Sequence, residues 1–215
     1  MKIVIRDPGS AITHFLAAIF TLIAAVPLLI KAAASMNILT FIAMIIFVIS
    51  MVLLYSASTT YHSVTASPKL IKFFKKIDHM MIYVLIAGSY TPICLVSLDK
   101  TSGYRLFLVI WGLALVGVVI TAAWVTCPKW FSAIVYIAMG WVCIAVLGKL
   151  FILLPPESFY LLLAGGIIYT VGGIIYALKL SVFNNKHKNF GSHEIFHLFV
   201  MGGSTCHFLC MYFIM

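Results

Sequence analysis

Acidic residues are nearly missing from this chain. There are five Asp and Glu in 215 residues, and only 9% of residues carry charge of either sign. Soluble domains are about a quarter charged and about half apolar. Here 64% of residues are hydrophobic and the mean hydropathy is +1.16, which excludes a water-soluble globule. The apolar runs are long and unbroken, without the short alternation of a membrane β-barrel. Helix then remains as the way to satisfy backbone groups in lipid. The five cysteines (Cys94, Cys127, Cys143, Cys206 and Cys210) contain no CxxC pair, which argues against a disulfide framework. They read as free thiols packing as small apolar groups. No internal repeat, low-complexity tract or long linker is present, so residues 1–215 read as one domain.

Apolar stretches of membrane-spanning length fill most of the chain. Roughly 20 such residues make one span, and runs near 11–31, 38–61, 79–98, 105–125, 130–152, 158–179 and 194–214 predict seven. The expected fold class is all-α, a seven-transmembrane helix bundle. Lys2 and Arg6 before the first run, with Ala32-Ala33-Ala34 after it, outline a signal peptide. The run from Ala11 to Ile30 is long for a signal core, however, and Lys31 follows it directly, so it reads as a retained first span.

The net charge of +9 would fit nucleic acid in a soluble protein. In a membrane protein the basic residues instead set orientation. Lys2, Arg6, Lys69, Lys72, Lys75, Lys76, Lys129, Lys179, Lys186 and Lys188 fall on the N-terminal side of the spans. Lys31, Lys100, Arg105 and Lys149 fall on the other. This split predicts a cytoplasmic N-terminus, an outside C-terminus and residence in the plasma (inner) membrane, with membrane lipids as partners and no nucleic acid. After Pro68, the residues Leu70, Phe73, Phe74 and Ile77 recur at helical spacing with lysines mostly opposite. That pattern predicts a short helix lying on the inner leaflet.

Ionisable side chains at membrane depth mark function by default. His14, His62, His79, His193 and His197 all fall at span ends on the predicted cytoplasmic side. His187 falls in a loop on that side, and His207 alone lies deeper. His193 and His197 are four apart, which puts both rings on one helix face, one turn apart. His62, ending span 2 at the same depth, is the third candidate ligand. Three protein ligands with an open fourth position suit catalytic zinc. Asp78, starting span 3 at that level, can hold the water of such a site or orient a histidine. Ser58 lies one turn deeper than His62 on the same face.

Each residue also has an ordinary reading. His14 and His79 read as helix-end residues reaching toward headgroup water. His207 reads as a hydrogen-bonded interior histidine or a gate. Ser58, Thr59 and Thr60 can bond to backbone carbonyls. His193-Glu194-Ile195-Phe196-His197 spells H-E-x-x-H, in which the Glu is the base of soluble zinc proteases. Here no soluble protease fold surrounds it, and an acid at a helix N-terminus is expected from the helix dipole. Convergence of several polar groups at one depth, from three spans, favours a metal site.

Four ordered motifs carry a resemblance. They are Ser10-Ala11-Ile12-Thr13-His14, Ser58-x-x-x-His62-Ser63, Asp78-His79-Met80-Met81-Ile82-Tyr83 running into Ala87-Gly88-Ser89-Tyr90-Thr91-Pro92, and His193-x-x-x-His197-Leu198-Phe199-Val200. Over nearly its whole length the chain resembles the hemolysin III family, the bacterial branch of the progestin and adipoQ receptor family. The resemblance implies a seven-helix fold with a cytoplasmic N-terminus and zinc near the inner leaflet. It assigns the ligands to His62, His193 and His197, with Asp78 holding the metal's water and Ser58 nearby. The wider group includes alkaline ceramidases, which hydrolyse a lipid amide. Glu194 stands where the receptors carry Gln.

The function expected from the residues and the resemblance together is zinc-dependent hydrolysis of a lipid amide or ester, with Asp78 and Ser58 as catalytic groups. Two other classes stand beside it. One is a cytolysin or a regulator of membrane state with structural zinc. The other is an ion or proton carrier using Asp78, His62 and His207. No span carries a sustained polar stripe, which weighs against a pore.

Overall fold

The computed structural model describes residues 5–178 and 191–215. Lys2, Lys179, Lys186, His187 and Lys188 lie outside the described residues. The described chain is helical, without a strand, and seven of its helical stretches are long and apolar enough to cross a membrane.

Helix α1 spans Pro8–Ala34 and α2 spans Ile38–Ser63. Pro8 sits in the first turn, where its missing N–H costs nothing. The α2 helix is opened by Asn37, whose side chain accepts from the amides of Leu39 and Thr40. Helix α3 spans Pro68–Pro92, and its last turns widen into a π-helical segment, Ile93–Ser97, just after the helix-weakening Pro92. The basic amphipathic stretch after Pro68 is therefore not a separate surface helix. It forms the first turns of α3, because nothing between Ile77 and Asp78 breaks the helix. Lys76 explains part of this, since its ammonium bonds to the carbonyl of Ala122 at the end of α4.

Helix α4 spans Lys100–Ala123. The fifth span is interrupted: α5 covers Lys129–Gly140, a 3₁₀ segment covers Val142–Val146, and α6 covers Leu147–Leu153. Backbone groups freed by such a break need partners in lipid. The Tyr90 hydroxyl supplies two, donating to the Gly140 carbonyl at 2.6 Å and accepting from the Cys143 amide at 2.9 Å. Helices α7, Pro156–Leu178, and α8, Ser192–Phe213, complete the bundle. All five cysteines are free.

The packing partners form a ring. Helix α1 packs on α2, α2 on α3, α3 on α5, α5 on α7, α7 on α8, and α8 back on α1. Helix α4 packs outside the ring against α3. Small residues allow the close approaches that van der Waals packing in lipid requires. A Cβ on Gly88 would stand 2.1 Å from Ser50 Oγ, and one on Gly165 would stand 2.3 Å from His207 Cδ2. The ring surrounds a partly open cavity of about 130 Å³, to which α4 contributes no wall.

Candidate metal centre

The centre lies at the end of the bundle where α1, α3 and α8 begin and α2 finishes. His62, on the last turn of α2, is buried by the first turns of α1 and α8. His193 and His197 stand one turn apart on α8, as their spacing dictates. The three residues each offer a ring nitrogen within 4.8 Å of the others. His62 Nε2 and His193 Nε2 approach to 3.1 Å. Two nitrogens at about 2.0–2.1 Å from a shared tetrahedral ion stand about 3.3 Å apart, so the spacing suits a transition metal.

Hydrogen bonds on the far sides of the rings point the same way. The Nδ1 of His62 lies 3.0 Å from an Asp7 carboxylate oxygen, which only accepts, so Nδ1 carries the hydrogen and, in the neutral ring, Nε2 keeps its lone pair. The Thr13 hydroxyl donates to the carbonyls of Gly9 and Ser10, and so is left to accept from His197 Nδ1 at 3.4 Å. His197 then also presents a bare Nε2. His193 Nδ1 has no hydrogen-bond partner among the described residues. Neutral histidines with converging lone pairs repel unless a cation or a proton lies between them, so this donor set fits a metal ion.

Asp78 is buried on α3 and lies 3.4 Å from His79 Nδ1 through one carboxylate oxygen. Ser58 Oγ is buried without a hydrogen-bond partner among the described residues. Its neighbour Thr60 takes the ordinary role and bonds back to the Ser56 carbonyl at 2.8 Å. Ser58, Asp78, His193 and His197 all line this cavity. That cavity runs inward to His207, whose Nε2 donates to the Leu162 carbonyl at 3.3 Å. Its walls between are apolar and aromatic, including Ile82, Tyr136, Trp141 and Phe196.

Two histidines differ from their sequence reading. His14 does not reach for headgroup water. It is 3% exposed and stacks on His197 with ring centroids 3.7 Å apart, edge-on to Tyr55. His79 is only partly exposed and also faces the cavity. For His14 the cause is the neighbouring helices, since Tyr55 of α2 and His197 of α8 close over its ring. Glu194 is occupied as a helix-start acid: one oxygen accepts from the Gly191 amide at 2.8 Å and the other from the Ser10 hydroxyl at 2.6 Å.

Asp7 and the ordering role of Thr13 went unread in the sequence. A signal existed, because an acid directly before the first span lies at the depth of the histidines. Asp7 lies outside the spans. Burial raises its pKa, but hydrogen bonds from His62 and Arg6 outweigh this and hold the carboxyl below its ordinary value.

The fold and this centre define a class, a multi-pass helical membrane protein with a three-histidine cluster able to hold a metal at one end of its bundle. The family model for Haemolysin-III related proteins matches residues 3–208. Hemolysin-3 of Bacillus cereus is 38% identical over 208 residues, covering 97% of this chain and 91% of that protein. The Hemolysin-3 homolog of Bacillus subtilis (strain 168) is 40% identical over 208 residues, covering 97% and 93%. The chain belongs to the hemolysin III family.

Proposed function

We propose that the chain is a membrane-embedded zinc-dependent hydrolase acting on a lipid amide or ester. The observation that carries this reading is the shared cavity: a buried carboxylate, a buried free hydroxyl and two of the cluster histidines face one apolar chamber. His62, His193 and His197 would hold the zinc, which when bound polarises a carbonyl and makes water acidic near pH 7. Asp78 accepts the proton of the attacking water. Ser58 donates a hydrogen bond to the carbonyl oxygen as charge develops on it. The departing amine or alcohol takes up the proton held on Asp78. The apolar walls leading to His207 hold the hydrocarbon chain out of water.

We also infer that residues 1–215 form one domain in the plasma (inner) membrane, with the N-terminus cytoplasmic, the C-terminus outside and the histidine end facing the cytoplasm. The uneven distribution of lysine and arginine supports this orientation. A reporter active only outside the cytoplasm should work when fused after Met215 and fail when fused near Ser67. The reverse pattern overturns the orientation.

The hydrolase test is Asp78→Asn. The variant should retain zinc, and fatty-acid release from a lipid amide or ester should fall about 10²- to 10⁴-fold, the usual size of a general-base contribution. A second reading, membrane lysis, is supported by the name Hemolysin-3 carried by the relatives. Under that reading the purified chain leaks dye from liposomes with every lipid chemically intact and with no effect of Asp78→Asn. That result defeats the hydrolase.

A further inference from the structure

The first turn of α1 breaks a local rule. Asp7 occupies the N-cap position, where an Asp side chain normally accepts from an amide of the following turn. Here the side chain makes no capping bond. Its carboxylate is turned toward α2, where Oδ2 lies 3.0 Å from His62 Nδ1 and accepts from Arg6 Nε at 2.9 Å. The Asp7 backbone amide donates to the His62 carbonyl at 3.0 Å. His62 is thus gripped twice by one residue, once at the backbone and once at the ring. Arg6 braces the grip, with its guanidinium 4.2 Å above the ring of Tyr61, the neighbour of His62. Leaving the helix start uncapped is unfavourable, so the carboxylate must gain more at His62 than it forgoes at the cap.

We propose that Asp7 is a positioning residue of the metal centre, fixing the tautomer and ring direction of His62 so that Nε2 faces His193. The proposal rests on reading the three histidines as metal ligands. Metal-bound histidines commonly donate their second N–H to a carboxylate, which orients the ring and raises its basicity, and loss of that partner costs roughly ten- to hundredfold in metal affinity. The consequence is a division of labour between spans. Helices α2 and α8 carry the nitrogens, while α1 carries none of the three and determines which way one of them faces.

The test uses the full chain in detergent, with zinc affinity measured by chelator competition and cobalt(II) as a visible probe of ligand geometry. Asp7→Ala should weaken zinc roughly ten- to hundredfold and alter the cobalt spectrum. Asp7→Glu should recover part of the affinity, and Asp7→Asn, which can still accept a hydrogen bond, should fall between. The Asp7 amide bond to His62 survives all three changes, so a purely structural strap would leave them alike. Wild-type affinity and spectrum in Asp7→Ala, with zinc lost in His62→Ala, overturns the positioning role and leaves the metal centre standing. Weakened binding with an unchanged cobalt spectrum and no recovery in Asp7→Glu overturns it too. Failure of the unaltered chain to bind zinc or cobalt overturns both.

Discussion

The two ends of the bundle use their charged groups in opposite ways. At the far end, ionisable side chains serve helix termini and are partly or largely exposed. Lys31 bonds to the Tyr212 carbonyl at the end of α8, and Asp99 caps α4 through the Ser102 amide while pairing with half-exposed Lys149. At the histidine end, His14, Ser58, Asp78 and His197 are buried, His193 is partly buried, and they converge from α1, α2, α3 and α8 on one cavity. Exposed pairs contribute little because water solvates each partner nearly as well. Buried polar groups are costly unless something satisfies them. The far end therefore reads as helix finishing and the histidine end as a site.

The sharpest way to break this contrast is to remove one nitrogen. His62→Ala, His193→Ala or His197→Ala should each strip most of the metal from a chain that otherwise holds about one ion. His207→Ala should leave it in place, since ten residues further along α8 is roughly 15 Å deeper. Metal analysis of the purified variants decides it, and full occupancy in all three cluster variants would mean that the cluster is not the centre.

Between the ends, the bundle itself can be stressed without touching either. Gly88→Ala places a methyl group against Ser50 and should destabilise the fold by roughly 1–3 kcal/mol, as overpacking does. Gly112→Ala meets nothing within 4 Å and should be neutral or better in thermal unfolding.

Glu194→Gln sharpens the reading of the histidine end. The Gln oxygen can still accept from the Gly191 amide and its NH2 can donate to the rotatable Ser10 hydroxyl, so the change should retain metal and most turnover and cost under about 1 kcal/mol of stability. Loss of turnover by several orders of magnitude with metal retained would instead make Glu194 the base of the H-E-x-x-H type.

The smallest effect belongs to the far end. The Ser102 amide, and then Lys149, hold the Asp99 carboxyl far below its ordinary pKa. A depressed folded-state value means that its contribution is present above the unfolded value of about 3.9 and fades as pH falls through the folded one. Asp99→Asn should therefore lower the melting temperature slightly at neutral pH and by less at strongly acidic pH. An equal loss at both would show that capping geometry, rather than charge, is at work.

The seven spans and the three histidines were legible because their signals are local: unbroken apolar length, and rings four residues apart on α8. The positions of His62 and Asp78 followed from depth alone. What escaped were contacts set by the closing of the bundle. The Thr13–His197 and Ser10–Glu194 pairs each bridge 184 residues, and Asp7 meets His62 across 55. No periodicity encodes such pairs. His14 was misplaced for the same reason, since a helix-end histidine is solvated or buried according to which other helix ends stand over it. The break in the fifth span was also hidden, because its residues are as apolar as those of an intact helix and its hydrogen-bond partner, Tyr90, comes from another helix.

The order in which a ribosome delivers this chain gives the Ser10–Glu194 pairing a further meaning. Helix α1 leaves the ribosome first, and its orienting groups are in the membrane while most of the bundle is still unmade. The ring stays open until α8 arrives with two of the three clustered nitrogens, so no earlier intermediate contains the complete cluster. On the proposed metal reading, acquisition of the ion is a checkpoint at the end of assembly: a chain stalled before Ser192 would enter the bilayer empty, and an occupied centre would certify that α8 has joined the bundle.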